Sequence, residues 1–397
     1  MNQARGPSSG STVTSEALDA VIVGGGIAGL WLLNLLSARG YRVVLLEAEA
    51  LGCGQTLVSQ GMIHGGLKYA LAGRLTDASE AIARMPERWR RCLDGRGEVD
   101  LSGLAPLSER YFMFADASTP GRLATFFASR ALRGRIRRLT RAEFPPPLAA
   151  AAADAVVYEL NDFVLDTAAL LERLRAPVAG RIYQHRLDPA EVSLGADVAT
   201  LTLNGLQLCC RRLLIAAGAG TGPLLQGLGL NAPAMQLRPL QQVLVRAPAL
   251  PQLYAHCLTG LRRPEPRLTI TSHRDGSGWL WYLGGQLASD GVAMGEAELV
   301  AHARSELARC VPWLPWREAN LSTLRSDRAE PARASGRRPD EAFVAAQGAC
   351  VVAWPTKLTL TPDLGDKVLA LLEPARSGQA EPATLPLPRA ALGRTPW

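Results

Sequence analysis

Between residues 19 and 47 the apolar pattern changes period twice. A short continuous apolar run, Ala20 to Val23, meets a cluster of glycines. A helical pattern then continues to Arg39, and a second apolar run, Val43 to Leu46, ends at Glu47. Short continuous runs read as buried strands and the stretch between them as a crossover, so the pattern predicts one βαβ unit. Downstream, residues 76 to 94 read as a helix broken at Pro86, Arg110 to Ala115 as a strand, and residues around Arg122 to Leu132 as a further helix ahead of the breaker Pro145-Pro146-Pro147. Val156 to Leu174 reads as a strand pair and a helix opened by Asp166 and Thr167 as an N-cap pair. Asn204-Gly205 between two alternating runs is a hairpin signal, and it leads into an apolar strand that ends in Ala216-Ala217-Gly218. Leu268 to Ser272 and residues 279 to 286 read as strands of an antiparallel sheet, and Glu296 to Cys310 as an amphipathic helix. Residues 1 to 17, rich in Ser, Gly and Thr, are expected to be a disordered leader, and residues 374 to 397, rich in Pro and Ala, a flexible tail.

The glycines carry the first chemistry. Gly24, Gly26 and Gly29 stand at G-x-G-x-x-G spacing between strand and helix. In that context they allow a tight turn, let a pyrophosphate approach the backbone and let the helix pack on the strand. Ile27 and Ala28 lie at the helix start, where unpaired N–H groups attract an anion. Glu47, about 20 residues on, is placed to accept hydrogen bonds from a ribose diol, which predicts FAD or NAD rather than NADP. No charge occurs from Ala20 to Ala38, but four glycines and Asn34 interrupt that window, so no transmembrane segment is expected.

With 397 residues, 48% hydrophobic and 20% charged, the composition is that of a soluble globular protein of two domains. Seven cysteines form no C-x-x-C pair, which argues against a disulfide framework or a zinc site and for a reducing, cytoplasmic setting. Neither His256 nor His273 has a second ligand at metal spacing, His302 is expected at the surface or in packing, and no metal is predicted. The net charge of +7 includes a basic run, Arg130, Arg133, Arg135, Arg137, Arg138 and Arg141, without interleaved aromatics. It reads as a solvated face rather than a nucleic-acid site.

The segment L-G-C-G-Q-T-L-V-S-Q-G-M-I-H-G-G-L-K-Y, residues 51 to 69, is glycine-punctuated like a loop wrapped round a ligand. With the opening motif it resembles the D-amino-acid-oxidase-like flavoprotein superfamily. S-Q-G-M-I-H-G-G-L-K-Y is similar to a stretch of FAD-dependent glycerol-3-phosphate dehydrogenases. The resemblance implies that Ser59 and Gly61 face the cofactor, that His64 lies near the isoalloxazine as base or polariser, and that Lys68, where the family has arginine, and Tyr69 face the substrate. Ala217 and Gly218 match a second fingerprint beside the dinucleotide. Lys357, Leu358 and Thr359 match a K-L-T loop facing the flavin pyrimidine ring, with Lys357 also placed to bind substrate. Arg325 matches an arginine that binds the substrate's anionic group, although Ser326 replaces the usual proline and Arg328 and Arg333 compete for the role. Cys53 reads as a packed thiol.

These matches imply an α/β protein, α+β overall: a Rossmann-like FAD-binding domain (18–75, 150–235 and 335–373) and a substrate domain built on an antiparallel sheet (76–149 and 236–334). FAD is preferred over NAD because the later motifs have no counterpart in a simple NAD domain. The implied reaction is hydride transfer to flavin N5 from a small anionic substrate, at a C–OH or C–NH bond, with an unidentified electron acceptor. Glycerol 3-phosphate and amino acids are the two substrate classes in view. An RNA-modifying flavoprotein oxidase and a non-catalytic flavin-binding protein are the alternatives. The extra helical domain of the larger dehydrogenases has no counterpart, so their membrane attachment is not carried over.

Overall fold

The computed structural model describes residues 15–66, 81–116, 136–259, 265–276, 278–333, 340–375 and 384–397. The chain opens with β1 (Ser15–Val23), α1 (Ile27–Ala38) and β2 (Val43–Glu47), the βαβ unit expected from the pattern. There follow β3 (Met62–Ile63), α2 (Met85–Leu93), β4 (Tyr111–Ala115), β5 (Ile136–Arg138), β6 (Val156–Leu160) and β7 (Phe163–Val164). Next are α3 (Thr167–Arg175), β8 (Ile182–Gln184), β9 (Val192–Leu194), β10 (Ala199–Leu203), β11 (Leu206–Ile215) and α4 (Thr221–Gly227). The second half holds β12 (Met235–Arg246), β13 (Ala255–Cys257), β14 (Leu268–Asp275), β15 (Gly278–Gly284), α5 (Gln286–Asp290) and α6 (Glu296–Cys310). It closes with β16 (Asn320–Pro331), β17 (Phe343–Gln347), β18 (Cys350–Trp354) and α7 (Thr361–Leu369).

Two large sheets organise these elements into a mixed α/β fold. The first runs β17-β18-β11-β1-β2-β8, with β10 on β11 and β9 on β10. Its centre, from β18 to β8, is parallel. Parallel strands are covered on both faces, which is why Val43–Glu47 is buried throughout and why α1 is apolar almost all round. Leu30, Trp31, Leu32 and Leu35 pack with Leu364 of α7 on one face, while Val21, Val44 and Leu213 join the core on the other. The second sheet runs β16-β12-β15-β14-β13-β4-β6-β5 and is antiparallel except where β13 meets β4. One of its faces, with Ile270 of β14 and Trp281 and Leu283 of β15, packs on Leu299, Ala303 and Leu307 of α6.

Several boundaries differ from the sequence reading. β1 starts at Ser15, inside the expected leader, because the long β11 offers pairing partners down to Gln207. The break at Pro86 is as read: residues 81–83 are helical, Arg84 is a turn, and a new helix, α2, starts at Met85 with Pro86 in its first turn, where its missing N–H costs no bond. The expected helix near residues 122–132 and the start of that at 76 lie outside the described residues. The hairpin is as read, with Asn204 (φ 50°) and Gly205 (φ 84°) both in the left-handed region that a two-residue type I′ turn requires. Asp166 caps α3 by accepting from the N–H groups of Ala168 and Ala169. The expected flexible tail does not hold over residues 384–397. Leu385, Leu387 and Ala390 are buried, and Leu392 bridges to Leu51. Alternation of leucine with proline lets an extended segment bury one side at reduced entropic cost.

Candidate functional site

The C-terminal ends of β1 and β11 meet at a crevice built by glycine and alanine. Gly24 (φ +110°) donates to Leu46 O at 2.8 Å, and Ala216 donates to Val23 O at 2.8 Å. A Cβ on Gly24 would stand 2.6 Å from Ala216 O, and one on Gly29 would stand 1.8 Å from Gly24 O, so both positions exclude any side chain. Gly26 is the N-cap of α1, with no side-chain cap and no acidic residue in the first turn, leaving that helix end suited to an anion. Ile27 N–H donates to Thr56 Oγ1 at 3.0 Å, and Ala28 and Gly29 complete the turn. Glu47, buried, accepts from Gly25 N–H at 2.5 Å and from Glu49 N–H at 2.8 Å. Ala217 and Gly218 (φ +55°) follow β11 and open a turn of 3-10 helix on the same rim.

Two loops extend from this rim toward the second sheet. In the first, Ser59 Oγ accepts from Gly61 N–H at 3.4 Å, and Gly61 (φ +65°) lies so close to Leu165 that a Cβ would fall 2.0 Å from its carbonyl. Cys53, expected to pack, is instead exposed, with Sγ 3.7 Å from Glu49 Oε2. In the second loop, Thr359 holds both sides of the His64 backbone: its Oγ1 accepts from His64 N–H at 3.1 Å and donates to His64 O at 3.2 Å. Trp89 Nε1 donates to Thr359 O at 3.0 Å, and Gly65 N–H donates to buried Asp162 at 2.8 Å. The structure therefore brings His64 beside Leu358 and Thr359, residues remote in sequence. His64 Nδ1 accepts from Gly66 N–H at 3.2 Å, which places the ring proton on Nε2. The Lys357 side chain is 1% exposed, with Nζ 3.4 Å from Asp340 O and 3.8 Å from Asp340 Oδ1. Lys68 and Tyr69 lie outside the described residues.

Arg325 and Arg328 stand on opposite faces of β16. β12 and β16 pair without a bulge from Met235↔Pro331 to Arg246↔Asn320, so side chains alternate strictly between faces. Arg325 falls on the side away from Gln242 and Leu324, is 54% exposed and pairs with Asp327 at 3.1 Å. Arg328 falls on the opposite face, shared with Leu324, Gln242 and, through β15 and β14, Tyr282 and His273. There Tyr282 OH lies 2.6 Å from Val58 O and 2.7 Å from Gln242 Oε1; burial pushes the phenol well up, opposed by the positive charge of Arg328. Gln60, which carries no signal of its own within S-Q-G, donates to Thr271 Oγ1 at 3.1 Å and to Tyr282 O at 2.9 Å. Thr271 Oγ1 lies 3.0 Å from His273 Nε2, and burial pushes that imidazole down to about 4. Gln60 thus ties the glycine-rich loop to the polar centre of the second sheet.

Two further arginines lie on the same face as Arg328. Arg238 pairs with Glu330 at 2.8 Å and Arg246 with Asp275 at 2.7 Å. In the basic run, Arg137 pairs with Glu143 and Glu159, and Arg141 donates to the carbonyls of Ala149, Ala151 and Ala152. Arg130, Arg133 and Arg135 lie outside the described residues. Among the described residues, no group of three or more His, Cys, Asp or Glu is arranged to hold a metal, and no helix is long and apolar enough to cross a membrane.

Residues 19–354 match the DAO family, described as FAD dependent oxidoreductase. A probable FAD-dependent oxidoreductase of Pseudomonas aeruginosa is 47% identical over 385 residues, covering 96% of this chain and 97% of the other. A crystal structure of an FAD dependent oxidoreductase from Pseudomonas aeruginosa superposes with a TM-score of 0.81 at 40% identity, covering 97% of this chain and 98% of that one. The aerobic glycerol-3-phosphate dehydrogenase of Escherichia coli is 38% identical over 68 residues, which are 17% of this chain and 14% of that protein.

Proposed function

Because the chain belongs to the DAO family of FAD-dependent oxidoreductases, we propose that it oxidises a small carboxylate-bearing amine, with a hydroxy acid as the related alternative. FAD is the cofactor, and when bound it supplies the hydride acceptor at N5. The residues present fit it: the glycine cradle admits no Cβ at Gly24 or Gly29, the N-cap of α1 is Gly26, which brings no side chain to the helix end, and the Glu47 carboxylate sits at the end of β2. Gly24, Gly26, Ile27, Ala28 and Gly29 would hold the pyrophosphate, and Glu47 a ribose. Ser59, Gly61, Ala217, Gly218, Leu358 and Thr359 would line the remainder.

The observation that carries the substrate reading is the shared face of Arg328, Tyr282 and His273, opposite Gln60. A guanidinium there can bind a carboxylate through two oxygens. His273, held neutral by burial, adds no positive charge beside Tyr282, and burial there favours an uncharged amine, the form whose C–H bond can lose hydride. His64, with its proton on Nε2, is placed to donate a hydrogen bond rather than to accept a proton at Nδ1.

Anaerobic bleaching of the flavin by a panel of amino acids, hydroxy acids and glycerol 3-phosphate tests this reading. An amino acid is expected to bleach fastest; bleaching by glycerol 3-phosphate alone overturns the carboxylate assignment. Replacing Arg328 by Met is expected to raise KM about tenfold or more, since losing a charged hydrogen bond costs about 1.5–3 kcal/mol. Arg325→Met should leave KM unchanged; the reverse pattern restores Arg325.

A further inference from the structure

The segment 384–397 crosses from the first sheet to the second. Leu385 N–H donates to Tyr183 OH at 3.0 Å, and Gln184 N–H donates to Pro388 O at 2.7 Å, so the segment extends the edge beside β8. Arg389 lies over the Tyr183 ring at 4.2 Å and donates to Gly180 O at 2.6 Å. Leu51 N–H donates to Ala391 O at 2.8 Å, and Gly393 N–H to Leu51 O at 2.9 Å, so the segment next runs along the glycine-rich loop. Gly393 is needed there: a Cβ would meet Leu57 Cδ1 at 2.8 Å and Leu51 O at 2.9 Å. Four residues later the Trp397 ring lies 4.9 Å from His273 and 5.5 Å from Tyr282, centroid to centroid, beside Leu244, Leu280 and Leu324.

We infer that Trp397, carried by this strap, is a wall of the substrate site and sets the size of substrate that the site accepts. The inference rests on the reading above that the face of Tyr282, His273 and Arg328 receives the substrate. Trp397 covers the two buried rings of that face, tilted 50° and 57° to them, so a molecule reaching that face meets the indole. Its position is set by backbone hydrogen bonds from loops of the first sheet, whereas His273 and Tyr282 belong to the second. The wall is therefore assembled from both halves of the fold. An indole is large and rigid, with a flat face for stacking, so shortening it enlarges the site rather than merely softening it.

The test measures binding of acetate, benzoate and 1-naphthoate to the holoprotein by perturbation of the flavin absorption band, which needs no turnover. For Trp397→Ala, the ratio of the 1-naphthoate to the acetate dissociation constant should fall about tenfold or more, corresponding to about 1.4 kcal/mol of selectivity. Trp397→Phe should restore most of the original ratio. An unchanged ratio with a lowered Tm means that Trp397 only packs, and overturns the inference. The Arg328→Met variant separates the two readings: if it weakens all three acids while Trp397→Ala leaves the ratio unchanged, only the role of Trp397 fails. If neither variant alters binding, the face itself is not the substrate site.

Discussion

His273 is buried against Tyr282 and Trp397, and its imidazole is pushed down to about 4 from an ordinary 6.5. The unfolded chain therefore takes up a proton that the folded chain refuses. Stability contributed by this neutral ring is fully present above pH 6.5 and falls as the pH drops toward 4, by about 3 kcal/mol at the limit. Urea unfolding at pH 7 and at pH 4.5 should show this loss, and His273→Gln should reduce it; equal slopes in both proteins would remove His273 as its source. At the same scale, the sequence match points to Arg325, whereas the function proposed above takes Arg328. The two lie three positions apart, and proximity to a motif does not report the parity of a strand. Parity requires the register of β12 on β16, which is a long-range pairing.

Elements with local causes are the most legible. The βαβ unit, the Asn204-Gly205 hairpin and the Asp166 cap each depend on neighbours within a few residues, so spacing and residue type suffice to read them. Gly29 shows how tightly that local code binds structure to cofactor: a methyl group there would lie 1.8 Å from Gly24 O. Gly29→Ala is therefore expected to yield protein with little or no bound FAD, measured by absorption after purification, whereas Asp166→Ala should retain FAD and lose about 1 kcal/mol of stability. Full FAD content in Gly29→Ala would mean that the turn does not cradle the dinucleotide. The strap at 384–397 is illegible for the converse reason. Its leucines have no local partner, and only Tyr183, Leu51 and the second sheet, all distant in sequence, make burial there favourable.

At the scale of the whole molecule, the seven thiols form no bridge: Cys92, Cys210, Cys257, Cys310 and Cys350 are buried, Cys209 is half-buried and Cys53 is exposed. Burial pushes Cys92 and Cys210 up to about 12 and Cys350 up to about 11, so these groups stay protonated near neutral pH. A thiol-disulfide reagent at pH 8 should label Cys53 first in the native protein, and the five buried cysteines only on unfolding; rapid labelling of Cys92 or Cys210 would contradict the packing. The central parallel sheet has a consequence of another kind. β11 stands between β1 and β18, so β1 waits for a strand made long after it, and that strand waits in turn for β18. While the ribosome is still at work, the first βαβ unit has no lasting neighbour on one side. Nascent chains of this protein should therefore depend on chaperones until β18 has emerged.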